Sequence, residues 1–134
     1  MTKAELSGKS LIIELDANSK LGPEIVPGDK HKQSENGRIL AGIVERHGLL
    51  VGNSLEQCKG LITRRRVTKN CVEESTIDFV LLSEDLSEDL NEIIVDDERQ
   101  HVLTKLVKTK NGIYKVESDH NPIKLSLNLK SNRK

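Results

Sequence analysis

The sequence predicts a mixed α/β fold of the α+β type, and three observations carry that reading. An apolar run, a long polar segment, a helical pattern and a second apolar run follow one another from residue 11 to residue 53, the order of a strand–helix–strand unit. Further along, short apolar runs are separated by polar turn residues, as in antiparallel hairpins. The last run alternates with period two: Ile123, Leu125, Leu127 and Leu129 on one face, Lys124, Ser126, Asn128 and Lys130 on the other.

Leu11-Ile12-Ile13-Glu14-Leu15 reads as a buried strand ending at Asp16-Ala17-Asn18. Residues 21–37 hold two prolines and three glycines among charged residues, so a long exposed loop is expected. Asn36 is placed to cap a helix running to about His47, with Ile39, Leu40, Ile43 and Val44 on one face and Gly48 as the stop. Leu49 to Asn53 follows as a strand. Leu61–Val67 and Ser75–Ser83 are expected to form a hairpin closed around Lys69-Asn70. Ser83-Glu84-Asp85-Leu86 reads as a short acidic helical turn. Ile93–Val95 and Val102–Leu106 are expected to pair, and Asn111-Gly112 is a strong turn signal. Residues 1–10 and 130–134 read as tails around one domain spanning 11–129.

With 134 residues, the chain has room for a single core. Phe79 and Tyr114 are its only aromatics, so Leu, Ile and Val must build that core. The 21 basic and 21 acidic residues cancel, and any case for a polyanionic partner must rest on local patches. Cys58 and Cys71 give neither a disulfide framework nor the ligand spacing of a zinc site. No apolar run approaches the ~20 residues of a membrane helix, and the first residues lack the apolar segment of a signal peptide. An intracellular location with no membrane partner is the expectation.

Three short motifs carry chemistry. Asp119-His120, within Glu117-Ser118-Asp119-His120-Asn121-Pro122, joins a carboxylate suited to a hard divalent cation with an imidazole able to contact a phosphate or shuttle protons. Asp16-Ala17-Asn18 places a carboxylate and an amide at the end of a strand, where they could orient water and donate to a phosphate oxygen; the same pattern also forms turns. Asp78 lies in the apolar strand Ser75–Ser83, where a carboxylate is costly unless paired. Arg64-Arg65-Arg66, near Lys59 and Lys69, is the one dense basic cluster. It reads either as a solvated face or as a contact to a nucleic-acid backbone.

Taken in order, Leu15-Asp16-Ala17-Asn18, Ser75-Thr76-Ile77-Asp78-Phe79 and Ser118-Asp119-His120-Asn121-Pro122 resemble the second half of the endonuclease/exonuclease/phosphatase family. The likeness is closest to endonuclease domains that accompany reverse transcriptases in non-LTR retrotransposons. It extends through Gly60-Leu61-Ile62-Thr63-Arg64 and from Leu11 to about Leu127. The family's Asp and Asn are kept at 16 and 18; Leu15 stands where the family has Gly, and Ala17 where it has a large apolar residue.

The resemblance implies half of a four-layer α/β sandwich, with one mostly antiparallel mixed sheet and helices on one face. It implies a metal-dependent DNA endonuclease of retroelement origin, with Mg2+ as cofactor and DNA as partner. Asp16 and Asn18 would act at the water and phosphate, and Asp119 against the water or as a metal ligand. His120 would stabilise the transition state and Asp78 would orient it. It further implies that the family's first half, with its metal-binding Glu, is missing, so that the chain is incomplete alone, with an uncovered sheet face, and is partnered by that half or by a second copy. A functional retroelement product would work in the nucleus. The alternative expectation is a non-catalytic interaction module or degenerate gene product.

Overall fold

The computed structural model describes residues 10–128. Most of the predicted tails, and Leu129 of the alternating run, lie outside these residues. The fold is mixed α+β, mostly strands, with one α-helix among the described residues.

The first sheet contains β1 (Ile12–Asp16), β2 (Leu49–Val51) and β6 (Asp78–Ser83), in the order β1-β6-β2 and antiparallel throughout. The second contains β3 (Cys58–Lys59), β7 (Leu90–Val95) and β10 (Ile123–Leu127), in the order β10-β7-β3. β10 runs antiparallel to β7 and β3 parallel to it. Two hairpin ribbons stand apart from these sheets: β4 (Arg64–Thr68) with β5 (Cys71–Ser75), and β8 (Thr104–Thr109) with β9 (Gly112–Glu117).

β6 is central because its sequence is apolar on both faces. Phe79 and Leu81 join the helix-side core with Val44, Leu49 and Val51. Val80 and Leu82 point the opposite way and pack with Leu90 and Ile93 of the second sheet. All four are buried. Each such side chain contributes roughly 1.5–3 kcal/mol of burial. The result is a layered stack of helix, sheet and sheet.

The helix, α1 (Glu35–Arg46), starts two residues earlier than the Asn36 cap predicts. Ser34 is the cap: its Oγ accepts from the Gly37 N–H at 3.1 Å and from the Lys20 N–H at 2.9 Å. The same hydroxyl thus ties the helix to the start of the loop. Gly37 is required there, because a Cβ would collide with the Lys20 carbonyl. Gly48, at φ +62°, follows the helix end as expected.

Several sequence expectations are corrected. One sheet becomes two small sheets and two ribbons, because β6 is apolar on both faces and so must be covered on both. The expected partner of Leu61–Val67 is not Ser75–Ser83. The polar turn at Lys69-Asn70 joins β4 to β5, and β6 leaves the hairpin for the core. Likewise Ile93–Val95 pairs with β10, while the chain around Leu106 pairs with β9 across the turn before Gly112. Loop 21–37 is not simply exposed, since Leu21, Val26 and Asp29 are buried in it. The sheet face expected to lie bare is covered by β7 and β10 from this chain itself. The short helical turn is present at Glu84–Leu86.

Candidate functional site

The antiparallel register sets Asp16 directly opposite Asp78 at one end of the first sheet. Two like charges so placed repel. The imidazole of His120 sits beside them. Nδ1 lies 2.8 Å from Asp78 Oδ2, so an ionised Asp78 accepts from Nδ1–H. Nε2 then looks outward, 3.6 Å from Asp16 Oδ2 and 4.0 Å from Asp119 Oδ1. Asp119 is held on its other oxygen by Arg64, whose Nε donates to Oδ2 at 3.0 Å.

Local structure explains why these groups meet. Thr63, wholly buried, accepts the N–H groups of Ile77 (2.9 Å) and Asp78 (3.1 Å) on its hydroxyl, fixing the start of β6. Its carbonyl accepts from the Asn121 N–H at 2.6 Å, and the Asp119 carbonyl accepts from the Arg65 N–H at 2.7 Å. The chain from Leu61 to Arg65 is therefore stitched to the strand bearing Asp78 on one side and to the Asp119-His120 segment on the other. Asn53 adds a clamp: its amide donates to the Asp78 carbonyl at 3.1 Å and accepts from the Val80 N–H at 3.0 Å. Arg99 braces the second segment by donating to Asn121 Oδ1 at 2.7 Å and to the Ser118 carbonyl at 2.6 Å.

Electrostatics separates the carboxylates. Burial raises the Asp78 pKa above its ordinary value, with the His120 hydrogen bond and charge opposing and the nearby Asp16 adding to the rise. The Asp119 pKa is lowered, chiefly by the Arg64 hydrogen bond. Asp119 is thus the more firmly anionic of the two.

Of the residues singled out in the sequence, Asp16, Asp78, Asp119 and His120 are brought together. Asn18 sits at φ +45°, where β1 has ended, and its N–H donates to Asp16 Oδ1 at 3.1 Å. The cavity beside His120 is lined by Asp16, Asp78 and Asn121, whereas Asn18 lines a neighbouring cavity with Lys30 and Arg64. Arg64, read in the sequence as part of a solvated face or of a nucleic-acid contact, joins the site through Asp119. Arg65 and Arg66 stand on the ribbon opposite Glu74 and Glu73. Thr63, Asn53, Asn121 and Arg99 were not singled out for a role. Thr63 and Asn121 do fall inside the stretches that carry the family resemblance, the one available signal.

Donor atoms of Asp16, Asp78 and His120 lie within 4.8 Å of one another. They make a poor match to magnesium, which takes oxygen ligands. Asp78 Oδ2 is occupied by an imidazole N–H, the third donor is a ring nitrogen, and Asp119, expected at the metal or against the water, has one oxygen taken by Arg64. No family model matches the chain, and no match is found among curated proteins or among solved structures.

Proposed function

We propose that this site hydrolyses a phosphodiester, and that the chain derives from a DNA endonuclease of retroelement origin. The observation that carries the reading is the Asp78–His120 hydrogen bond, with the free ring nitrogen turned toward Asp16 and Asp119. A carboxylate on Nδ1 holds the imidazole in one tautomer and one orientation. Nε2 is then the nitrogen that meets substrate, and when protonated it donates to a phosphoryl oxygen. Arg64 lies beside it as a further positive group. Exposed Asp16 takes a proton from the attacking water. The water oxygen bonds to phosphorus, the ester P–O bond breaks, and the leaving alkoxide is protonated from solvent. Magnesium enters this reading through the family resemblance alone, and no step above depends on it.

The test is nicking of supercoiled plasmid by the purified chain, with magnesium or with EDTA. Slow nicking that disappears in His120→Ala and falls about 10²–10⁴-fold in Asp78→Asn is the expected result. Nicking that survives His120→Ala unchanged overturns the assignment. A wild-type chain with no nicking at all favours the other reading, a non-catalytic interaction module, for which the Arg64 hydrogen bond to one oxygen of Asp119 is the supporting observation.

A further inference from the structure

The β8–β9 ribbon takes no part in the chemistry above, and its strands pack chiefly on each other. Its register is informative. Lys105 stands opposite Val116, Leu106 opposite Lys115 and Lys108 opposite Ile113, with Lys110 in the turn. Each strand lysine therefore faces an apolar residue across the ribbon, not a carboxylate. Among the described residues no salt bridge joins any of the four lysines to an acid. The one acid of the ribbon, Glu117, lies 3.7 Å from Arg99 at the base. Leu106 and Ile113 are 73% and 66% exposed on the face that also carries Lys108 and Lys115.

The ribbon is joined directly to the site. The Ser118 N–H donates to the Leu103 carbonyl at 2.8 Å, closing its base, and Asp119 and His120 follow at once. A cavity of about 650 Å3 runs between Lys105, Val116 and Glu117 on the ribbon and Ser118 and Asp119 at the site. Six residues per strand at ~3.4 Å each reach ~20 Å from that base.

We propose that the β8–β9 ribbon is a binding arm for duplex DNA, gripping the phosphate backbone roughly six base pairs from the phosphate that meets His120. The choice of polyanion rests on the phosphodiesterase reading; the charge and the projection do not. A two-stranded ribbon fits the major groove, and lysines facing no carboxylate are free to displace condensed counterions.

The experiment is fluorescence anisotropy with a 5′-labelled 24-base-pair duplex in EDTA, so that no cleavage is required. The full chain is compared with a variant carrying Lys105→Gln, Lys108→Gln, Lys110→Gln and Lys115→Gln. A control with the same change in net charge carries Arg38→Gln, Arg46→Gln, Lys59→Gln and Lys124→Gln. The ribbon variant is expected to bind at least tenfold more weakly near 0.1 M salt, and its log K against log salt slope to be shallower by about 3 to 4. The control is expected to bind like wild type. An unchanged His120 NMR spectrum in the ribbon variant verifies that the site remains folded. Loss of binding with no cleavage in any form leaves the arm standing and removes the site reading. Cleavage that depends on His120, with equal DNA binding by the ribbon variant, removes the arm and leaves the site. The proposal also fails if the wild type does not bind DNA or if the control loses as much affinity. It fails too if the lysines instead support binding to phosphatidylserine vesicles or dimerisation of the chain, with DNA affinity unaltered.

Discussion

The two hairpin ribbons among the described residues have similar lengths, and both are rich in basic residues, yet they are wired differently. On β4–β5 each arginine stands near a carboxylate of the same molecule. Arg64 holds Asp119, and Arg65 and Arg66 face Glu74 and Glu73 across the strands. The N–H of Arg65 is also bonded to the Asp119 carbonyl. On β8–β9 the strand lysines face Val116, Ile113 and Leu106, and the ribbon projects from the body. The contrast teaches that basic residues are informative only with their cross-strand partners. In the denser cluster, Arg64–Arg66, one guanidinium is paired with Asp119 and the other two stand opposite glutamates, whereas the dispersed lysines face apolar residues.

The largest expected effect concerns chemistry. At saturating DNA, Asp78→Asn is expected to lower the cleavage rate about 10²–10⁴-fold, while the four-lysine ribbon variant keeps its rate within a few-fold. Single-turnover nicking measures both. Equal losses in the two variants would erase the division between a hairpin that builds the site and one that holds the substrate.

Next comes stability. Thr63→Ala leaves the N–H groups of Ile77 and Asp78 without their acceptor, and a cost of about 1–3 kcal/mol is expected. Val107→Ala on the other ribbon is expected to stay within about 0.5 kcal/mol. Urea unfolding distinguishes them, and a larger loss from Val107→Ala would mean that the second ribbon is part of the core.

A smaller effect is pH-dependent. Asp119 is held below its ordinary pKa by Arg64, so its contribution to stability is complete above the unfolded pKa and is lost as pH falls through the folded value. Arg64→Met removes that contribution. The gap between wild type and variant is therefore expected to be greatest at neutral pH, no more than about 1 kcal/mol for this partly exposed pair, and to close in acid. Asp78 has the opposite sign. Its raised pKa means that its contribution is complete below the ordinary carboxyl value and is lost as pH rises through the folded value. Urea midpoints across an acid pH series check both, and a gap for Arg64→Met that widens in acid would contradict the assignment.

The smallest effect is cross-strand. A double-mutant cycle on Arg66→Gln and Glu73→Gln should give a coupling of about 0.2–1 kcal/mol, screened by salt. The corresponding cycle on Lys108 and Ile113 should show no salt-dependent coupling.

By itself the sequence determined the mixed α+β class, the helix near residues 36–47, the turn before Gly112 and the alternating final strand. Those are local properties, written in periodicity and in glycine and polar turn residues. It also marked Asp16, Asp78, Asp119 and His120, because a carboxylate inside an apolar strand and an Asp-His pair before one are unusual enough to notice. Only the tertiary structure decided which strands pair. β6 abandons the nearer hairpin because Phe79, Val80, Leu81 and Leu82 need cover on both faces, and only two separate layers supply it. Only the fold, too, revealed that Thr63, Asn53 and Arg99 position the site, since a buried hydroxyl or a half-buried amide or guanidinium acquires a role from the backbone groups it meets. The same holds for the basic residues. Whether an arginine or lysine meets a carboxylate or an apolar residue across the strands depends on register, and register is settled by which faces must be buried.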